Sequence, residues 1–447
     1  MKRSKFNCSH LIITISRQIV FSYLLYIILQ PSPVEAGSKA ASVTPLATNP
    51  ASSVFLHKNS FIFSGSPISS NDVKLRYVGS ETITKKAESP LSFGDIQTGF
   101  VLKPTRRISF GVGELLPPVT IGRKIEDIPV VILNDVSMVD LDIKASVKYG
   151  ISLFGGYLVN ERLSIGGAFA SRQIDVKATA NTSSGERLLN GHFRITTSSA
   201  NIGLNYVAQP NHLRLGLATS VFSSNALVTG IDTPLVSGEN ANALNNKSAS
   251  SNLVFGDFLF GAEFSPNSIS EIYADVIWKR ADKGQKEFSL VDLKEKPKDI
   301  YDTTSVFIGG KYRAQEKQYA LLGFSYEPSA VGAGSPGENG KSGFGMRETA
   351  LLYSGFGDLL PAWSVSIGLQ YGNDLKTISD EPQHKHSDKS KTENSREKRS
   401  GDIWERSTFG ISMRYRRASL GVDDKGELPA AYSQVRLQFP ITIQTTF

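Results

Sequence analysis

Apolar side chains recur at every second position through much of this chain. At the C-terminus, Val435, Leu437, Phe439, Ile441, Ile443 and Phe447 share one parity, while Arg436, Gln438, Thr442, Gln444 and Thr446 hold the other. Upstream, Trp363, Val365, Ile367, Leu369 and Tyr371 alternate with Ser364, Ser366, Gly368 and Gln370. A third window sets Ile143, Ala145, Val147, Tyr149, Ile151, Leu153 and Tyr157 against Lys144, Ser146, Lys148, Gly150 and Ser152. Weaker windows run over 200–206, 213–221, 258–264, 272–278, 306–312 and 409–415. A period of two is the signature of a strand whose faces meet different media. Helical spacing is scarce, and the windows that could fit it lie mostly in Val130–Val139. Pro440 falls on the polar face of the last window, an odd place for a residue with no ladder donor.

The breaks between windows have their own rhythm. Short turns rich in Pro and Asn stand at 103–105, 159–161, 209–211, 265–267, 314–316 and 358–361. Longer polar stretches, 114–142, 179–192, 226–251, 282–302, 328–346 and 374–405, separate them. Short turns on one side and long loops on the other are the layout of an outer-membrane barrel. The fold class expected is all-β: a transmembrane antiparallel β-barrel of about 14 strands (14–16), its long loops extracellular. The count is off by one, so either 409–415 or one of the first windows (61–63, 73–77) is expected not to span. A large soluble all-β protein would alternate too. Against it stand the aromatic ends of the strands and the loop rhythm.

The start of the chain changes the picture by adding export. Lys2, Arg3 and Lys5 precede an apolar run from Ile19 to Leu29, then Pro31, Pro33 and Val34-Glu35-Ala36. This predicts a signal peptide over 1–36, cleaved after Ala36. Beyond it no apolar run reaches the ~18–20 residues of a spanning helix. Hydrophobic residues make up only 40% of the 447 residues, so a membrane-embedded body must close on itself as a barrel. The single cysteine, Cys8, lies in the leader, which excludes disulfides and thiolate metal sites downstream. The net charge of +7 is dispersed over both signs and forms no stripe with interleaved aromatics. Nucleic acid is therefore not an expected partner.

Candidate chemistry is sparse. His384 and His386 sit in a charged polar run, and His192 and His212 lie near many serines without a hydrolase motif. No enzyme activity, cofactor or metal site is expected. Phe447, at the end of an alternating strand, resembles the terminal aromatic by which bacterial barrels present their last strand to the outer-membrane assembly machinery.

Asn49-Pro50-Ala51 ahead of the first strand window, Phe100–Pro118, and Tyr157–Ile174 with its Gly166-Gly167 pair resemble the long-chain fatty acid and hydrocarbon transporter family of outer-membrane barrels. The resemblance covers the layout of most of the chain but only about fifty residues in recognisable words; the run 374–405 and the C-terminal third depart from it. It implies a luminal plug over 37–58, carried by Asn49, Pro50, Ala51 and Phe55, inside a barrel of residues 59–447. It also implies that Leu115, Leu116, Val131 and Leu133 in the apolar stretch 114–142 collect a hydrophobic ligand, though the same residues could simply pack a folded loop. Phe307, Leu321 and Leu351, opposite the apolar run of their strands, favour an apolar path. The function expected is passive uptake of hydrophobic molecules such as long-chain fatty acids, with membrane lipid as the surroundings. The alternatives are a general or solute-selective porin and a surface adhesin or structural barrel.

Overall fold

The computed structural model describes residues 49–56, 59–76, 85–89, 97–116, 119–132, 135–210, 212–232, 247–253, 255–281, 286–289, 294–297, 301–329, 360–372, 407–421 and 431–446. The expected leader, the run 374–405, Leu133, Leu351 and Phe447 lie outside the described residues.

A 3₁₀ turn, η1 (Pro50–Phe55), precedes the strands. These are β1 (Ser60–Arg76), β2 (Lys85–Ser89), β3 (Gln97–Leu102), β4 (Ile108–Leu116), β5 (Val119–Ile132), β6 (Asp135–Leu158), β7 (Leu163–Thr182), β8 (Arg187–Gln209) and β9 (Leu213–Asp232). They continue as β10 (Lys247–Leu253), β11 (Asp257–Asn267), β12 (Ser270–Lys279), β13 (Lys286–Ser289), β14 (Lys294–Pro297), β15 (Thr303–Gln315), β16 (Gln318–Glu327), β17 (Ala362–Gly372), β18 (Ser407–Gly421) and β19 (Ala431–Thr446). Among the described residues, β13 and β14 pair only with each other. Three wall strands are broken in two: β2 and β3 both pair with β1, β4 and β5 with β6, and β10 and β11 with β9. The wall thus has 14 antiparallel strands, closed where β1 pairs with β19. Closure leaves no sheet edge in lipid, which is why this topology can span a membrane.

Alternation becomes the two faces of that wall. On β17, Trp363, Val365, Ile367, Leu369 and Tyr371 are 39% to 65% exposed, whereas Ser364 and Ser366 are buried. The same outward apolar face continues through Ile308, Leu322, Phe324, Ile272, Val276, Phe260, Leu217, Leu204 and Ile165. An exposed surface of this size and composition suits hydrocarbon and not water. Aromatic residues bracket it: Trp363 and Tyr415 (ring centroids 5.5 Å apart) with Phe258 and Trp278 (5.6 Å) at one rim, and Tyr157, Tyr206, Tyr312 and Tyr371 at the other. Trp363 to Tyr371 spans about 27 Å along the strand, close to the height of a transmembrane barrel's apolar band.

Several expectations change. All three doubtful windows fall in wall strands, since β1 covers 60–76 and β18 covers 407–421. The segment 114–142 is not a loop: β5 and the start of β6 pair through it from Val119↔Val147 to Ile132↔Asp135, and the Val130–Val139 window is strand. Likewise 179–192 is the tip of a hairpin, with β7 and β8 turning between Thr182 and Arg187. Much of 226–251 is occupied by β9 and β10, and 282–302 carries β13 and β14. β6 runs for 24 residues, or about 80 Å, far beyond a ~30 Å hydrocarbon core. Beyond the apolar band one face still buries Val139, Leu141, Ile143, Ala145 and Val147 of β6 with Ile174, Val176 and Ala178 of β7, while the other carries groups such as Lys144 and Lys177 in place of lipid-facing apolar residues. That is why these strands read as loops.

The strand ends on either side of 373–406 also lie elsewhere than expected. Gln318↔Tyr371 and Gly372↔Thr408 place them beside the 316–317 turn, and Ser407↔Thr445 and Ser60↔Thr446 place that rim at the terminal end of the wall. The strand ends that flank it, Gly372 and Ser407, thus lie at the short-turn rim, the periplasmic one in barrels of this type, and not at the rim of the long connections. The expected short turn 358–361 belongs to the opposite rim, where Glu327 pairs with Ala362. Pro440 is accommodated by a break in both ladders. The β1–β19 register shifts between Gly65 and Ile68, skipping Pro67, and β18 pairing passes from Ile411↔Ile441 to Arg414↔Gln438.

Candidate functional site: the luminal seat of η1

Where β4, β6, β7, β8 and β9 approach the short-turn rim, their inward positions are nearly bare. Ser109, Gly156, Gly166, Gly203 and Ala218 face one another strand by strand. η1 lies on this row, with all six of its residues buried. The glycines are dictated by that approach. A Cβ on Gly166 would stand 2.4 Å from the Ala51 nitrogen, one on Gly156 2.6 Å from Val54 Cγ2, and one on Gly203 2.0 Å from Asn49 Oδ1.

Polar contacts tie the turn down. Asn49 caps it, its Oδ1 accepting from Ala51 N at 3.2 Å while its Nδ2 donates to the Leu204 carbonyl at 3.0 Å. Both halves of the amide are used, a task the acceptor-only Asp carboxylate could not perform. Pro50 follows at the first position of the turn, where no donor is needed. Ser164 Oγ donates to the Ala51 carbonyl at 2.8 Å, Asn205 Nδ2 to Ser52 Oγ at 2.9 Å, and Ser53 Oγ shares a bond with Ser109 Oγ at 2.7 Å. At its far end, the Lys103 ammonium donates to the carbonyls of Val54 and Leu56. Burial, and then the Arg106 guanidinium, lower the Lys103 pKa to about 8. Apolar packing completes the seat: Phe55 and Leu56 cluster with Ile62, Val101, Phe154 and Ala168. The Arg214 guanidinium lies 5.2 Å from the centre of the Phe55 ring, near Glu263 (3.8 Å).

The facing wall is different in character. Arg414 bonds Glu327 at 3.0 Å and Ser364 at 3.1 Å. Arg416 bonds Gln434 at 3.0 Å and stands opposite Arg436 in the ladder. Glu271, Asp275 and Lys311 are also buried on inward faces, with the Lys311 ammonium 4.2 Å from the Tyr319 ring centre. Phe307 and Leu321 point inward among these polar groups, so the apolar path expected from them is interrupted.

Of the residues singled out from sequence, Asn49, Pro50, Ala51 and Phe55 are brought together. Leu115, Leu116 and Val131 sit on β4 and β5, away from η1 along the strands. His192 and His212 are at opposite ends of β8 and do not meet; His212 Nδ1 lies 2.8 Å from the Ser265 carbonyl in a turn. Among the described residues no cluster of three or more His, Cys, Asp or Glu could hold a metal ion. Sequence reasoning missed Ser109, Gly156, Gly203, Asn205 and Lys103. The available signal was glycine and small polar residues repeating on the inward parity of three successive strands.

No family model and no curated protein matches the sequence. Solved structures do. A FadL homologue of Pseudomonas aeruginosa aligns over 93% of this chain and 99% of its own, with a TM-score of 0.56 at 13% identity. The toluene transporter TodX of Pseudomonas putida aligns over 94% of this chain and 100% of its own, with a TM-score of 0.55 at 12% identity. At such identities the likeness establishes architecture. The chain is thus a closed transmembrane barrel of 14 antiparallel strands, with the fold of that FadL homologue and of TodX.

Proposed function

We propose that the protein is an outer-membrane channel for passive uptake of hydrophobic molecules, of the class spanning long-chain fatty acids and small hydrocarbons, with η1 as the core of a luminal plug. The observation that carries this reading is the buried, hydrogen-bonded seat of residues 49–56 against the inner wall. An open diffusion pore has no use for a segment that obstructs it, and the buried cluster of Phe55, Leu56, Ile62, Val101 and Phe154 holds that segment against the wall. The architecture shared with TodX and the FadL homologue supports it independently. Uptake would proceed by capture among the β-ribbons around 114–142, where Leu115, Leu116, Val131 and Leu133 supply apolar contact. Displacement of the plug and release would follow. Neither nucleotide nor metal enters. Phe447 serves as the assembly signal in this reading.

The test is growth of a host lacking its own hydrophobic-uptake barrels on limiting long-chain fatty acid or toluene, paired with vesicle swelling in small sugars. Restored growth with slow swelling is the expected result. Fast swelling without restored growth assigns the protein instead to a porin. That second reading has one observation behind it: the charged inner face built from Arg414, Arg416, Arg436, Glu271, Asp275 and Lys311.

A further inference from the structure

Directly behind η1, on the outer face of the wall, lies an apolar groove of about 670 Å³. Ile108, Tyr157, Ile165, Ile202, Leu204 and Leu217 supply its side-chain walls. Each of these is exposed and shares the outward parity of its strand. Gly155 and Gly167, cross-strand partners, form its floor. The η1 residues, which press on the neighbouring Gly156, Gly166 and Gly203 from inside, do not line it. Internal packing does not require these two floor glycines. A Cβ on Gly167 would meet only the Asn201 carbonyl at 3.9 Å, and one on Gly155 nothing closer than 3.4 Å. Glycine weakens a strand interior, and where it is not needed for the fold it marks close approach by something else.

The groove is continuous with the hydrocarbon-facing belt, so its occupant comes from the bilayer. What stands at its mouth narrows the choice. The turns joining β3 to β4 and β6 to β7 carry Arg106, Arg107 and Arg162 against the single acid Glu161, and all four side chains are exposed. Arg107 immediately precedes Ile108, and Arg162 lies three residues before Ile165. The backbone of both turns is held in place. The Arg107 carbonyl accepts from Leu158 N and the Arg162 carbonyl from Val207 N, both at 2.8 Å. Asn160 and Thr105 side chains brace the turns from within. Tyr157 and Tyr206 mark the membrane–water boundary at this rim. An apolar slot opening between guanidiniums at headgroup level matches one ligand chemistry: hydrocarbon chain ending in phosphate.

We infer that this groove is a binding site for one anionic phospholipid of the periplasmic leaflet, its acyl chain lying on Gly155 and Gly167 and its phosphate between Arg107 and Arg162. The site is separate from the transported molecule's route and does not depend on the uptake reading.

Native mass spectrometry of the full-length protein, released from phosphatidylethanolamine vesicles containing a minor share of phosphatidylglycerol, tests it. The wild type is expected to retain one phosphatidylglycerol in preference to phosphatidylethanolamine. Gly167→Leu, which fills the floor without reaching η1, displaces about two methylenes of chain and should weaken retention about ten-fold. Arg107→Ala with Arg162→Ala should keep a bound lipid but lose the preference for the anionic one. Gly155→Leu provides an independent filling should Gly167→Leu misassemble, and heat-modifiable gel migration reports folding of every variant. Retention by both folded glycine variants equal to wild type overturns the site. So does unchanged anionic preference in the arginine variant, or displacement of the lipid by toluene at equal concentration, which would make the groove part of the cargo path.

Discussion

Substitution of Gly166 by Val probes the seat of η1 most sharply. Its Cβ would stand 2.4 Å from Ala51 N, 2.6 Å from Pro50 C and 2.8 Å from Ala51 Cα, all backbone atoms that no rotamer change can move. Relief requires η1 to retreat by about 1 Å, the gap between that approach and ordinary contact. A retreat of that size breaks Ser164–Ala51, Asn205–Ser52 and Ser53–Ser109. At about 1 kcal/mol net each, these sum to about 3 kcal/mol, which shifts the seated-to-unseated ratio about a hundred-fold. The wall itself should gain slightly, because Val is a better strand residue than Gly. The expected phenotype is therefore a fully assembled barrel that leaks. The assay is vesicle swelling in small sugars, with heat-modifiable migration to show that the wall is intact. Gly167→Ala, the next residue but facing outward into open space, is the matched control and should swell like wild type. Wild-type swelling by a folded Gly166→Val would refute the reasoning, since it would mean that a seat with no room for a methyl group had absorbed three heavy atoms.

Three further outcomes are expected. Lys103 has a folded pKa of about 8 against an ordinary 10.5, so the unfolded chain binds more protons between those values and wild-type stability should rise with pH across that window; relative to Lys103→Met the melting temperature should climb from pH 7.5 to pH 10, and a falling difference would contradict the assigned burial. An epitope inserted near residue 390 should be reached by antibody only after the outer membrane is permeabilised, whereas one placed near residue 340 should be reached on intact cells. Arg414→Met leaves Glu327 without its 3.0 Å partner and, with that carboxylate still partly solvated, should cost about 2 kcal/mol in urea unfolding; a change below about 0.5 kcal/mol would show that the pair contributes nothing.

Period-two alternation determined the fold class, because a closed wall between hydrocarbon and an interior requires opposite chemistry at neighbouring positions, and only where both media are present. Trp363–Tyr371 was legible for that reason, and β7 and β8 beyond the membrane were not: they still bury Ile174, Val176, Ala178 and Phe193, but their outer face no longer meets hydrocarbon and carries polar groups such as Lys177. The Asn49-Pro50-Ala51 run was legible only through its resemblance to the transporter family; the capped 3₁₀ turn that it forms came from the structure. The surface that receives it was not. Gly156, Gly166 and Gly203 come from three strands and become a seat only through the register that sets them side by side, which depends on non-local pairing. The rim at which the strand ends flanking 373–406 lie was likewise decided by parity around the closed sheet. Loop length, the sequence's only indication, fails once one long connection joins strand ends at the short-turn rim. Local composition specifies what each strand faces; ring closure and register specify which residues meet.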